Sequence, residues 1–270
     1  MLTIVFVDEG LDFMEDKEKK TYSFDKLQMF FGEDYQVAEG IVISQPTIGD
    51  IMTFGEDRFN QVLNPFVVNP TSLRVVLWQQ GRDWTEMSDY ELFYQLILQL
   101  QPKPDETHMI FGDLDFSKFN LYKRQNEVDG ELVEDVILLN HEQKVLIDEE
   151  IYNHMSSYLR TMFNIHPKVE KAKGKTTKQW MIEGDIMNSK PQTERKSNLL
   201  SMISFCLNHP GFKYKKSELK DLGIVEFYDS VQRLLVYEST SSLMKGMYSG
   251  FVDVSGIDKK EFDFMREFNS

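Results

Sequence analysis

Val128-Asp129-Gly130-Glu131-Leu132-Val133-Glu134-Asp135-Val136-Ile137-Leu138-Leu139 joins an Asp-Gly turn signal to an apolar, β-branched run. An Asp-Gly pair between extended segments favours a tight antiparallel turn, because both central positions need positive φ. Residues 109–111 and 116–122 before it, and 144–147 after it, also read as extended. Residues 106–148 are therefore expected to form a small antiparallel sheet.

On both sides of that sheet the apolar period is helical. Thr47 and Asp50 have the spacing of a helix cap answered from three residues on, ahead of Ile48, Ile51 and Met52. The helix through 56–63 is expected to end at Asn64, before Pro65. A further helix spans 71–80 and closes on Gly81. Ser88 and Glu91 form a capping-box pattern that opens a helix with Leu92, Phe93, Leu96, Ile97 and Leu100 on one stripe. Pro102 and Pro104 are expected to stop it. Asp148 caps the next helix, which carries Ile151, Met155, Tyr158, Leu159 and Met162. Helices follow over 177–187, 198–207, 216–222, 225–245 and 259–267. The 198–207 segment is almost wholly apolar and is expected at the centre of the core. At the N-terminus, residues 2–7 suit a strand that pairs with 21–24, and 40–44 is another short strand candidate.

The expected fold class is α+β: a mainly helical body with an N-terminal β-hairpin and a small mid-chain sheet. The organisation reads as a β-rich segment 1–45, a helical part 46–105, the sheet 106–148, and a helical part 149–270 that forms one domain with 46–105.

Composition narrows the function classes. The chain has 270 residues, 41% of them apolar, with 20 Phe and 11 Tyr, enough to build a core. A formal charge of −14 repels nucleic acid and anionic membranes, so general binding to either is disfavoured. There is no apolar run long enough for a transmembrane helix, and the start lacks a basic leader before Asp8 and Glu9. The one cysteine, Cys206, sits in an apolar stretch and reads as a small hydrophobe in a reducing compartment.

Chemistry-bearing patterns are sparse. Asp113-Leu114-Asp115 has a spacing that, on a strand, would let two carboxylates share a cation. Beside Gly112 the same residues are ordinary turn formers. A metal-dependent enzyme through Asp113 and Asp115 is the remote alternative. The histidines His108, His141, His154, His166 and His209 include no i, i+4 pair. Gly174-Lys175-Thr176-Thr177 resembles the tail of a phosphate-binding loop, but Val169 stands where the first glycine belongs. No catalytic residue, metal ligand or cofactor is expected.

Two features suit protein contacts instead. Lys168, Lys171, Lys173, Lys175 and Lys178 form a basic stretch, and Lys213, Lys215 and Lys216 a second. Residues 168–175 read as a solvated, mobile linker, or as an electrostatic contact for an acidic partner or another copy of the chain. Met244, Met247, Tyr248 and Phe251 lie beside Gly246 and Gly250 as an adaptable apolar patch. Lys171, Lys173 and Lys175 with Met244, Met247, Tyr248 and Phe251 are the candidate partner-binding residues.

Several phrases carry a family resemblance over residues 41–255. They are Pro46-Thr47-Ile48-Gly49-Asp50-Ile51, Phe54-Gly55-Glu56, Ile110-Phe111-Gly112-Asp113-Leu114-Asp115-Phe116-Ser117, His209-Pro210-Gly211-Phe212-Lys213-Tyr214, Phe227-Tyr228-Asp229-Ser230-Val231-Gln232-Arg233 and Gly246-Met247-Tyr248-Ser249-Gly250. Together they resemble tail-morphogenesis proteins of tailed bacteriophages of Gram-positive hosts, notably tail assembly chaperones. The resemblance implies a non-enzymatic viral protein that binds tape-measure or tail-tube protein during virion morphogenesis. It places that role in the cytoplasm of the infected host. The alternative is a virion structural component of neck, tail or baseplate. This chain departs from the smallest tail chaperones in its length and its mid-chain sheet.

Overall fold

The computed structural model describes residues 22–128, 131–188 and 197–267. The architecture is α+β. Ten α-helices are described, with a two-stranded antiparallel sheet near the N-terminus and a three-stranded one mid-chain. Among the described residues, no helix is long and apolar enough to cross a membrane.

The chain opens with α1 (Lys26–Phe30), capped by the Asp25 carboxylate, then β1 (Tyr35–Ala38) and β2 (Ile41–Ile43). The expected strand at 2–7 and Thr21 lie outside the described residues, while Tyr22–24 is irregular rather than a strand. The hairpin near the N-terminus is instead β1–β2, paired Tyr35↔Ile43 and Gln36↔Val42. Gly40 turns it with φ +77°, and a Cβ there would meet Val145 Cγ2 at 2.6 Å. Only glycine allows that approach.

α2 (Ile48–Phe54) begins at the capping box expected at Thr47 and Asp50, with bonds of 2.9 and 3.1 Å. α3 (Glu56–Val67) runs past Asn64 and takes Pro65 into its last turn. The lost N–H costs one bond near a helix end, and burial of Pro65, Phe66 and Val67 offsets it. A short 3₁₀ turn, Pro70–Leu73, leads into α4 (Arg74–Gln79). α5 (Asp89–Leu100) is capped by the Ser88 hydroxyl at 3.0 Å.

α5 ends at Leu100, ahead of Pro102 as expected, but Pro104 also starts a new helix. α6 (Pro104–Phe111) has it at the first position, where its missing N–H costs nothing. Residues 109–111 are therefore helical, not extended. The sheet follows as β3 (Asn120–Val128), β4 (Glu131–Asn140) and β5 (Val145–Ile147), in that order and antiparallel throughout. Its register runs from Asn120↔Leu139 to Val128↔Glu131. Residues 116–118 are a 3₁₀ turn instead of the extended piece expected there.

α7 (Glu149–Met162) is capped by Asp148, and α8 (Lys175–Asn188) and α9 (Asn198–Asn208) follow. α9 is not central: only Leu199 and Cys206 are buried, and Leu200 is exposed. Its apolar fraction misled because one face looks outward. α10 (Ile224–Tyr248) is the longest helix described. The segments around it, 216–222 and 259–267, hold only the short 3₁₀ turns Leu219–Asp221 and Lys259–Phe262.

One cluster of buried side chains draws on nearly every element, from Met29 to Leu234. The start of α2 is tied to the start of α10, with Ile48 N–H donating to Leu222 and Ile224 N–H to Pro46. A second, smaller cluster comprises Leu77, Trp84, Leu92, Ala172 and Ile182. It holds α8 and the basic linker against α4 and α5.

Candidate partner-binding surface

The basic linker is a built structure, not a mobile tether. The Asn69 amide, itself buried, donates to the Lys168 carbonyl at 2.8 Å. The Trp84 indole N–H donates to the Glu170 carbonyl at 3.2 Å. Thr71 Oγ1 accepts from the Glu170 N–H at 3.3 Å. Ala172 packs into the second cluster. These anchors leave Lys171, Lys173 and Lys175 with exposed side chains on fixed backbone. Lys178 is engaged instead, binding Asp83 and Thr85.

An arginine that the sequence did not single out clamps this region. Arg74 grips both carboxylate oxygens of Asp185 on α8 and also binds Glu170 on the linker. Its side chain is largely buried, and its guanidinium presents a rigid fork that suits such a pair. Hydrogen bonding to Arg74 holds the Asp185 carboxyl below the usual carboxylate range. Burial pushes Asp83 upward, but Lys178 and Thr85 outweigh it, so Asp83 is also held low. A carboxyl lowered by folding stabilises the fold above its unfolded value, and that stabilisation is lost as pH falls through the folded one. Attachment of α8 should therefore be constant from neutrality down to about pH 4 and weaken below it. Hydrogen exchange of α8 peptides against pH checks this; protection unchanged down to pH about 2 would refute it.

The second set of candidates lies at the end of α10. Met244 and Met247 are half-buried, whereas Tyr248 and Phe251 are exposed, Phe251 at 90%. The chain reverses there because Gly246 lets Val252 close on it: a Cβ at Gly246 would meet Val252 Cγ2 at 2.5 Å. The returning segment is fixed to α10 by Arg266, which binds Thr240 and the Glu261 carbonyl. Tyr237 and Phe264 meet at 5.8 Å along the same stretch. Met265 is exposed as well, so apolar surface continues beyond the predicted residues. Lys171, Lys173 and Lys175 belong to the linker and the first residue of α8, whereas Met244, Met247, Tyr248 and Phe251 belong to the end of α10 and the turn after it, so the two sets sit on different elements.

α8 adds a second exposed apolar feature. Trp180 is 70% exposed and Met187, two turns on, is more so, while Ile182 on the opposite face is buried. The signal was present in the sequence as apolar residues on both faces of one helix, which a search for a single stripe passes over.

The remaining candidates have structural roles. Asp113 and Asp115 sit in the loop after α6, not on a strand. Asp115 accepts from the Ser117 N–H at 3.0 Å and from its hydroxyl. His209 Nδ1 accepts from the Gly211 N–H at 3.0 Å, and its Nε2 meets Glu238 at 2.9 Å, closing the turn. His154 bonds Tyr35 at 2.8 Å within an aromatic ladder of Tyr22, Phe24, Tyr35 and Tyr158. Burial raises the Cys206 thiol above its ordinary value. Gly174 immediately precedes α8 with φ +91°, but irregular linker comes before it where a phosphate loop needs a strand. Among the described residues, no group of three or more His, Cys, Asp or Glu is placed to hold a metal ion. In comparison with family models, curated proteins and solved structures, the chain matches none.

Proposed function

We propose that this chain is a non-enzymatic phage tail assembly protein that binds tape-measure or tail-tube protein during virion morphogenesis. The phrases that resemble tail-morphogenesis proteins motivate the biological setting, the cytoplasm of an infected bacterium. The observation that carries a binding role is the exposed apolar end of α10, with Tyr248, Phe251 and Met265 in water. Large aromatic and methionine side chains left exposed beside a polar rim are the composition of binding hot spots. The formal charge of −14 supports the reading, since it keeps a chain with such a patch dispersed.

The test is co-expression with the tail-tube or tape-measure protein. Wild type is expected to raise the soluble yield of one of them and to co-purify with it. Tyr248→Ala with Phe251→Ala is expected to weaken that complex by about tenfold or more while leaving the fold intact, because both side chains are exposed. No gain in solubility with either protein rejects the proposal. Recovery of the chain at fixed copy number in purified virions would reassign it to a structural role.

A further inference from the structure

A cavity of about 550 Å³ lies between the end of α4 and the start of α8. Trp78, Arg82 and Asp83 line it from one element, Lys175 and Lys178 from the other. Three cations therefore share the cavity with one carboxylate, in a chain whose formal charge is −14. The volume falls within the roughly 300–1,000 Å³ of small-ligand sites.

The lining is held in place by the protein itself. Trp78 is half-buried and packs edge-on to Trp84 with centroids 5.9 Å apart, so the smaller cluster braces its ring. The Lys178 ammonium donates to Asp83 and to Thr85, and Asp83 also accepts from the Thr85 N–H at 3.0 Å. That network neutralises Asp83 and leaves one of the three ammonium donors of Lys178. Arg82 donates to Gln95 and pairs with no carboxylate among the described residues. Lys175 is exposed and pairs with none among them either. A Cβ built at Gly81 or at Gly174 would meet nothing within 4 Å, so the turns beside the cavity do not fill it. A guanidinium and an ammonium without carboxylate partners, next to an indole, are groups that suit a phosphate and the flat ring it is joined to.

We infer that this cavity binds a small phosphorylated molecule with a flat ring, of the mononucleotide class. The ring stacks on Trp78, the Arg82 fork takes two phosphate oxygens, and Lys175 with the spare Lys178 donor takes the third. These are side-chain contacts, so the site needs neither the strand nor the first glycine that a phosphate loop requires. A polynucleotide would bring its many charges against the acidic remainder of the chain, whereas a single phosphate does not. The site is separate from partner binding at the end of α10 and does not rest on it.

Isothermal titration calorimetry of the full chain at low salt tests it, with adenosine 5′-monophosphate, adenosine and inorganic phosphate as separate probes. The monophosphate is expected to bind one per chain, at least about tenfold tighter than either fragment, because only it uses both the ring and the cations. Arg82→Ala with Lys175→Ala is expected to weaken the monophosphate by about tenfold or more and to leave the weaker adenosine binding unchanged. Both side chains are exposed, so the pair should fold as wild type. Lys213→Ala with Lys215→Ala makes the same change of charge on another exposed segment and is expected to change nothing. No binding of the monophosphate at about 1 mM overturns the site. Equal affinity for the monophosphate and inorganic phosphate overturns the ring contact, and an equal loss in the Lys213, Lys215 pair shows general charge attraction and overturns the site as well.

Discussion

Phe66→Ala lowers the free energy of unfolding by about 3–5 kcal/mol, as for a large ring removed from a core that collapses only in part. Phe66 is fully buried. Its ring meets Phe93 of α5 at 5.7 Å, Phe111 of α6 at 4.7 Å and Phe116 beside the sheet at 4.9 Å. One side chain of α3 therefore joins three other parts of the chain. Truncation removes its own transfer energy and leaves three rings with an empty face. The neighbours are held by their own elements and cannot all move in. A domain with a total stability of about 5–15 kcal/mol loses a large fraction of it. Phe31→Ala is the contrast: that ring is exposed, and its loss should stay within about 0.5 kcal/mol. Urea unfolding followed by far-UV circular dichroism reads both. Equal midpoints for the two variants would mean that Phe66 is not a junction of the core.

Local chemistry was legible in the sequence wherever the deciding partners lie a few residues apart. Thr47 with Asp50, Ser88 with Glu91, and Asp148 each mark a helix start that the structure uses. The Asp-Gly pair at 129–130 predicted the pairing of β3 with β4, although the turn itself lies outside the described residues. The reading failed where distant partners decide. Pro102 and Pro104 follow the end of α5 as read, but a stop signal does not say that Pro104 also opens α6, whose Ile110 and Phe111 are buried in the main cluster. α9 is apolar enough to be central, yet Leu200, Ser201 and Ser204 are exposed on one face. The linker looked mobile because its lysines and glycine say nothing of Asn69, Thr71 and Trp84, which hold it from 86 to 99 residues away. Of the candidate surfaces, the end of α10 was visible from its aromatic and methionine load. Arg74 was invisible, since a lone arginine on a helix gives no hint that Glu170 and Asp185 converge on it.

That distant anchoring makes Trp84 the residue whose loss should separate the two surfaces. Trp84 is 2% exposed, packs edge-on to Trp78 with centroids 5.9 Å apart, and fills the cluster with Leu77, Leu92, Ala172 and Ile182. Trp84→Ala deletes the largest member of a small cluster and the donor that holds the Glu170 carbonyl. The cost is expected at about 3–5 kcal/mol, borne mainly by the linker and α8. The main cluster does not include Trp84, so α3, α5 and α7 should keep their protection while 168–188 exchanges as a locally opened unit. Trp84→Phe keeps most of the apolar contact and loses the donor, which should cost about 1 kcal/mol or somewhat more for the carbonyl left unpaired. The Lys171, Lys173 and Lys175 surface would then lose its fixed backbone in the alanine variant, whereas Tyr248 and Phe251 keep theirs. A partner captured through the end of α10 should bind the Trp84→Ala chain with nearly wild-type affinity, and one captured through the lysines should not. Uniform loss of exchange protection across α3, α5, α7 and α8 would show instead that the two clusters unfold together, and the separation of surfaces would fail with it.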